Sequence, residues 1–340
     1  MNHDTPLSPL PLHHLAGAGC RVVTTRQLRE HGVAATETTE RCRPGGPWQQ
    51  VLPGVYLLHP GPPTSEERLH AVLLYAAHRG PRVPGQGGVV PDAPEAMITG
   101  LAALALHGFS AAPPLLSLDR IEVLVARTRR LRSTGFAQIV RAQEMPLPAE
   151  ITGVPVAPVP RALADAVGRL TDASSARRLL TEAVRGGHCE ATTVVRELSR
   201  ARVLTRPHVV DAVDTLLAEG RSLAEQRLYA MVHTHGLPDP LWNVDLRLPG
   251  GPHLGGVDAF WPEHAVALEI DTRAPRPEED PMRSPFDRKR EHLERLGITV
   301  VRCVPRTLRE APAHQAAVVR TALMTAPDRE PSAYVVVLPR

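Results

Sequence analysis

Apolar and polar positions change period along the chain, and each change marks an element. Near the start, Thr24-Thr-Arg-Gln-Leu-Arg-Glu-His-Gly32 sets a hydroxyl ahead of a short helical run and a glycine behind it, which predicts a capped helix. A second helix is expected over residues 35–43. Trp48-Gln-Gln-Val-Leu-Pro-Gly-Val-Tyr-Leu-Leu58 then reads as two short strands around a Pro53-Gly54 turn. Helix, turn, helix and hairpin in that order outline a winged helix-turn-helix over residues 15–62. Residues 1–14, rich in Pro and His, read as a disordered tail.

Residues 65–79 carry Leu69, Val72, Leu73 and Ala76 at helical spacing. Residues 81–94 are rich in Gly and Pro and read as a loop, and 96–107 as an apolar helix. Residues 121–126 and 138–141 read as the two strands of a hairpin, joined through Arg127-Thr-Arg-Arg-Leu-Arg132. Together these predict a mixed α/β segment over 63–160. Residues 160–219 are largely helical in pattern, broken at Gly186-Gly187 and Arg206-Pro207, so 161–220 is expected to be a helical connector.

From Ser222 the pattern becomes αβββαβ over residues 221–326, followed by a tail at 327–340. Ser222 is expected to cap a helix running to His235. Strands are predicted at 241–248, 257–261 and 265–271, then a charged, Pro-rich insertion at 272–285. A helix at 286–296, a buried-type strand at 298–304 and a last helix at 314–325 complete the series. Carboxylates recur along it. Glu225 lies on the helix, Asp258 on the second strand, and Glu269 with Asp271 at the end of the third. Glu269 and Asp271 are two apart and so share a sheet face. Asp258 and Glu269, on neighbouring strands, are placed to converge on one Mg²⁺. Phosphodiester hydrolysis uses an ion of that kind held by a few carboxylate oxygens, with positions left for water and phosphate. Phe260 and Trp261 read as core, and His233-x-His235 as a helix end rather than a metal pair.

At 340 residues the chain has room for about two to three domains. The aromatic share is only 3%, so Leu, Val and Ala must fill the cores. The net charge of +3 does not by itself point to nucleic acid. Lys289 is the only lysine, and a coding bias toward Arg, Ala and Pro explains that more simply than phosphate binding does. Position is more telling than number. Arg26 and Arg29 on the first helix, Arg41 and Arg43 near the second, and Arg127, Arg129, Arg130 and Arg132 in the later connection are the candidate contacts to duplex DNA phosphates. Cys20, Cys42, Cys189 and Cys303 form no CxxC pair, which supports neither a zinc ribbon nor a disulfide framework. No secretory signal is visible, and apolar runs fall well short of the ~20 residues of a membrane helix. A soluble cytoplasmic protein with no membrane partner is the expectation.

Two family resemblances follow from these residues. Thr24–Gly32, the Trp48–Tyr56 wing, Ile98-Thr-Gly-Leu-Ala-Ala-Leu-Ala-Leu-His-Gly108, and Gly153-Val-Pro-Val with Arg161-Ala-Leu-Ala-Asp165 resemble the AbiEi-type antitoxins of type IV toxin–antitoxin systems. That resemblance implies a winged helix on operator DNA and a following domain that regulates or neutralises a cognate toxin. Residues 222–305 are similar to the very-short-patch-repair-like branch of the PD-(D/E)XK nucleases. Glu225, Asp258, Glu269 and Asp271 match its acidic positions, and Asp287, Arg290, Leu296, Gly297 and Arg302 its following helix and strand. This second resemblance implies a restriction-endonuclease-like core, so the expected fold class is multi-domain α/β. It also implies those four acids as the catalytic set, with Asp258 and Glu269 as metal ligands.

The sequence departs from that pattern in two places. Asp271 stands where the nucleases carry Lys, and Thr272-Arg273 stand where the branch has Gly followed shortly by His. Lys289, on the next helix, is the one lysine able to supply the missing charge and joins the catalytic candidates. Three readings stay open. They are a DNA-binding regulator of antitoxin type with a nuclease-derived C-terminal domain, an active Mg²⁺-dependent endonuclease targeted by its winged helix, and a toxin-neutralising interaction protein.

Overall fold

The computed structural model describes residues 21–77, 95–272, 285–325 and 335–339. The expected tail at 1–14, the loop at 81–94 and nearly all of the 272–285 insertion lie outside them. The architecture is mixed α/β, with eleven α-helices and three sheets among the described residues. The chain divides into two compact units between Leu179 and Leu180, with Ala201–Val203 returning to the first. No helix among the described residues is long and apolar enough to cross a membrane.

The first unit opens with β1 (Val22–Thr24), α1 (Thr25–Glu30), α2 (Ala35–Arg41), β2 (Gln49–Leu52) and β3 (Val55–Leu57), whose strands form a sheet in the order β1-β3-β2. Thr24 caps α1 reciprocally: its hydroxyl accepts from the Gln27 N–H at 3.2 Å, and the Gln27 side chain accepts from the Thr24 N–H at 2.8 Å. Gly54, at φ +73°, supplies the left-handed residue of the β2–β3 turn. Val23, Leu28, Val33 and Trp48 close a small core beneath.

Helix α3 (Ser65–Ala77) packs on strands of that sheet and on the first strands of a second one. The second sheet holds β4 (Ala96–Thr99), β5 (Ile121–Ala126), β6 (Ala137–Ala142), β7 (Ala149–Ile151) and β8 (Val154–Val156), in the order β6-β5-β4-β8-β7. Helices α4 (Gly100–Leu106) and α5 (Val159–Val167) pack against each other and β4.

Two expectations change here. The apolar stretch 96–107 is not one helix. Ala96–Thr99 is buried along its whole length between β5 and β8, and Gly100 at φ +64° turns the chain into α4. Strands β5 and β6 pair in parallel, not as a hairpin. The Arg-rich connection runs back beside them, fastened by Arg141 to the Arg129 and Leu131 carbonyls and by Tyr75 to the Arg132 carbonyl.

The second unit begins within α6 (Ala173–Arg185) and continues through α7 (Ala191–Arg200) and α8 (Pro207–Thr234). Then come β9 (Leu241–Arg247), β10 (His253–Trp261), β11 (Val266–Ile270), α9 (Pro285–Arg295), β12 (Thr299–Cys303), α10 (Pro305–Glu310), α11 (Pro312–Thr325) and β13 (Val336–Pro339). The sheet runs β12-β11-β10-β9-β13, with only β11–β12 parallel. One face buries Trp261, Leu268 and Val301 under Leu228 of α8 and Val319 of α11. The other buries Phe260, Ala267 and Val300 under Leu293 of α9.

Ser222 does not cap a helix, because α8 runs unbroken through it for 28 residues. Gly220 lies within α8 where it meets α7. A Cβ there would stand 2.8 Å from that of Ala191. Within the segment read as a tail, Val336–Pro339 pair with β9 and extend the sheet.

Candidate functional site

The acids of the second unit are brought together by its central hairpin. β10 and β11 pair with Ala259 opposite Leu268, so Asp258 and Glu269 follow next on the two strands. Both carboxylates are buried. Asp258 Oδ2 accepts from the Ile270 N–H at 2.6 Å, and its Oδ1 accepts from Arg221 Nη2 at 2.6 Å. Arg221 sits on α8 one turn before Glu225 and also meets that carboxylate, Nε to Oε1, at 2.9 Å. One guanidinium thus bridges two of the candidate acids.

Glu269 is served from the opposite side of the sheet. Lys289 of α9 ion-pairs with Glu269 Oε1 and donates to the Gly256 carbonyl. The route of the lysine is cut by Gly255, at φ +117°, where a Cβ would stand 2.6 Å from Lys289 Cε. Asp271 pairs with Arg302 across β12. All five candidates, Glu225, Asp258, Glu269, Asp271 and Lys289, therefore sit in ion pairs. The one buried oxygen of these pairs left without a partner is Glu269 Oε2.

These residues do not fit a divalent ion as they are arranged. Mg²⁺ takes an octahedron of hard oxygens, and a useful site offers more than one carboxylate oxygen with its lone pairs free. Asp258 has both oxygens engaged, Glu269 offers one, and Arg221 and Lys289 already stand where a cation would compensate them. No cluster of three His, Cys, Asp or Glu side chains suited to a metal occurs among the described residues. The two buried thiols of this unit are poor nucleophiles. Burial pushes Cys303 up to about 12, with Asp258 adding to the effect, and burial does the same to Cys189.

Beside the Arg221 bridge lies an open cleft of about 430 Å³, lined by Glu225, Gln226, Leu228, Tyr229, Trp242, Asn243 and Asp258. Arg221, Tyr229 and Trp242 escaped the sequence reading. Arg221 was recoverable, since it precedes Glu225 by four residues and so shares its helix face. The two aromatic rings carried no such signal. Phe260 and Trp261 are core, and the Trp261 indole donates to the Pro238 carbonyl at 2.7 Å.

The arginines of the first unit fall into two groups. Arg26 pairs with Glu30 at 2.7 Å, and Arg41 pairs with Glu37 while lying 4.5 Å over the Trp48 ring. Arg129 is a structural residue, bonding the Ala76 carbonyl and approaching Glu95 at 3.6 Å. Arg29, Arg43, Arg127, Arg130 and Arg132 are exposed.

No family model matches the chain, and no curated protein matches it.

Proposed function

We propose that the protein is a DNA-binding regulator of antitoxin type whose second unit is nuclease-derived and does not cut DNA. The observation that carries this is the pairing of every candidate acid with a basic side chain: Glu225 and Asp258 with Arg221, Glu269 with Lys289, Asp271 with Arg302. A site whose carboxylates are neutralised from within has little charge left to hold a metal against a polyanionic substrate. The helices α1 and α2 followed by the β2–β3 hairpin support a winged-helix reading of residues 15–62, with double-stranded DNA as its ligand. Its exposed Arg29 and Arg43 suit contacts to the phosphate backbone. A cognate toxin is the partner this reading implies for residues 65–160.

The test is supercoiled-plasmid nicking with Mg²⁺ or Mn²⁺, run beside duplex binding followed by fluorescence anisotropy. The expected outcome is salt-sensitive binding with no metal-dependent nicking above that of Glu269→Ala. Nicking by the wild type that disappears in Glu269→Ala would overturn the reading.

One observation favours an active endonuclease instead. Lys289 stands at Glu269 and supplies from α9 the charge that Asp271 lacks, and Glu269 Oε2 is buried and unpartnered. On that second reading, cleavage is lost in both Glu269→Ala and Lys289→Ala.

A further inference from the structure

We infer that Arg221 is the resident cation of this acidic site: its guanidinium fills the position between Asp258 and Glu225 that a divalent ion would need, and it keeps such ions out. The inference rests on the proposed reading of the second unit as nuclease-derived and unable to cut, and it names the residue that closes the site to metal.

Two carboxylates from separate elements meet on one group. Arg221 Nη2 donates to Asp258 Oδ1 of β10 at 2.6 Å, and Arg221 Nε stands 2.9 Å from Glu225 Oε1, one turn further along α8. Asp258 is buried, and its Oδ2 is held by the Ile270 N–H at 2.6 Å, so the carboxylate cannot turn away from α8. Glu225 is partly exposed, which gives water a path to the same point. Mg²⁺ is usually held by one or two carboxylates together with several waters. Here the point on which the two carboxylates converge is taken by a side chain of the same protein.

Charge makes the two occupants exclusive. Two carboxylates balance one divalent ion, whereas Arg221 offsets only one of the two. An ion entering beside the guanidinium would meet a like charge at short range, in a partly buried setting that solvent screens poorly. One cation must leave for the other to enter. Lys289 is not the exchangeable one. Its stem passes close to Gly255, its ammonium donates to the Gly256 carbonyl as well as to Glu269, and its side chain is 21% exposed against 38% for Arg221.

The experiment measures Mn²⁺ binding to the full chain by the loss of the free-ion electron paramagnetic resonance signal, with melting temperature recorded in parallel. Arg221→Gln keeps a hydrogen-bond donor for Asp258 and removes the charge. It is expected to bind Mn²⁺ at least about tenfold more tightly than the wild type, and to gain melting temperature with added Mn²⁺ where the wild type does not. Arg221→Lys, which keeps the charge, should stay as closed as the wild type. Asp258→Asn in the Arg221→Gln background should abolish the binding. A purely structural bridge predicts a different result: Arg221→Gln loses stability and Mn²⁺ does not restore it. That result overturns the inference even where the variant is largely unfolded, and so does wild-type binding as tight as that of Arg221→Gln. Metal-dependent nicking by the wild type would refute the proposed function and this inference with it, whereas an Arg221→Gln that binds no Mn²⁺, without wild-type nicking, would refute the inference alone.

Discussion

Lys289, the only lysine of the chain, reaches from α9 through the gap left by Gly255 and closes an ion pair on the buried Glu269 carboxylate. The pair is largely buried, and removing one partner of such a pair leaves an uncompensated charge. Lys289→Met should therefore destabilise the second unit by about 3 kcal/mol. The double variant Glu269→Gln with Lys289→Met should recover most of that loss, since neither buried charge remains. Urea denaturation of the four members of this cycle provides the check. Additive effects of the two changes would mean that the side chains do not interact in solution.

Gly255 tests the same contact from the backbone. Gly255→Ala places a methyl group 2.6 Å from Lys289 Cε and forces a non-glycine residue to φ +117°. A loss of roughly 1–3 kcal/mol is expected from backbone strain and displaced lysine together. In a Lys289→Ala background the collision vanishes but the strain persists, so the penalty should shrink without disappearing. An unchanged penalty there would assign all of it to the backbone.

Arg129 and Arg130 should behave differently although they adjoin in sequence. Arg129 bonds the Ala76 carbonyl and approaches Glu95, whereas Arg130 is exposed. Arg129→Ala is expected to lower the melting temperature. Arg130→Ala should leave it unchanged and, if the connection touches DNA, lower the slope of log affinity against log salt by roughly 1. Melting curves and anisotropy titrations at several salt concentrations separate the two. A melting temperature of Arg129→Ala equal to that of the wild type would contradict its structural role.

What could be read from the sequence depended on how local the signal was. The Thr24 cap, the Pro53-Gly54 turn and the strand carrying Glu269 are local patterns, and the structure has them where expected. Stretch 96–107 was misread because a strand buried on both faces and an apolar helix look alike until a partner strand is known. Only Gly100, a breaker inside the run, hinted at the division. The parallel pairing of β5 with β6 was hidden because it depends on a connection that folds back along the strands. The acids of the site were visible as residue types. Their partners were not, because Arg221 lies 37 residues from Asp258 and Lys289 lies 20 residues from Glu269, so only the packing of α8 and α9 on opposite faces brings them in.

The last prediction concerns Glu122, a buried carboxyl in the first unit. Its Oε1 meets Arg169 at 2.5 Å, and Gly100 leaves its Oε2 the space a Cβ would fill. Burial is the largest influence and pushes this carboxyl up to about 7, Asp165 pushes the same way, and Arg169 and a hydrogen bond from the Leu101 N–H oppose both. The unfolded value is 4.5. Between those two values the folded chain holds a proton that the unfolded chain has released. The contribution to stability is therefore fully present below pH 4.5 and is lost as pH rises through 7. The span corresponds to at most about 3 kcal/mol. Melting temperature should accordingly decline from about pH 5 to pH 8, and Glu122→Gln, which stays neutral throughout, should flatten that part of the profile. Arg169→Ala should steepen it, because the ionised form then loses its only cation among the groups acting on it. A Glu122→Gln profile with the wild-type slope would assign the decline to other groups and refute the role given to this carboxyl.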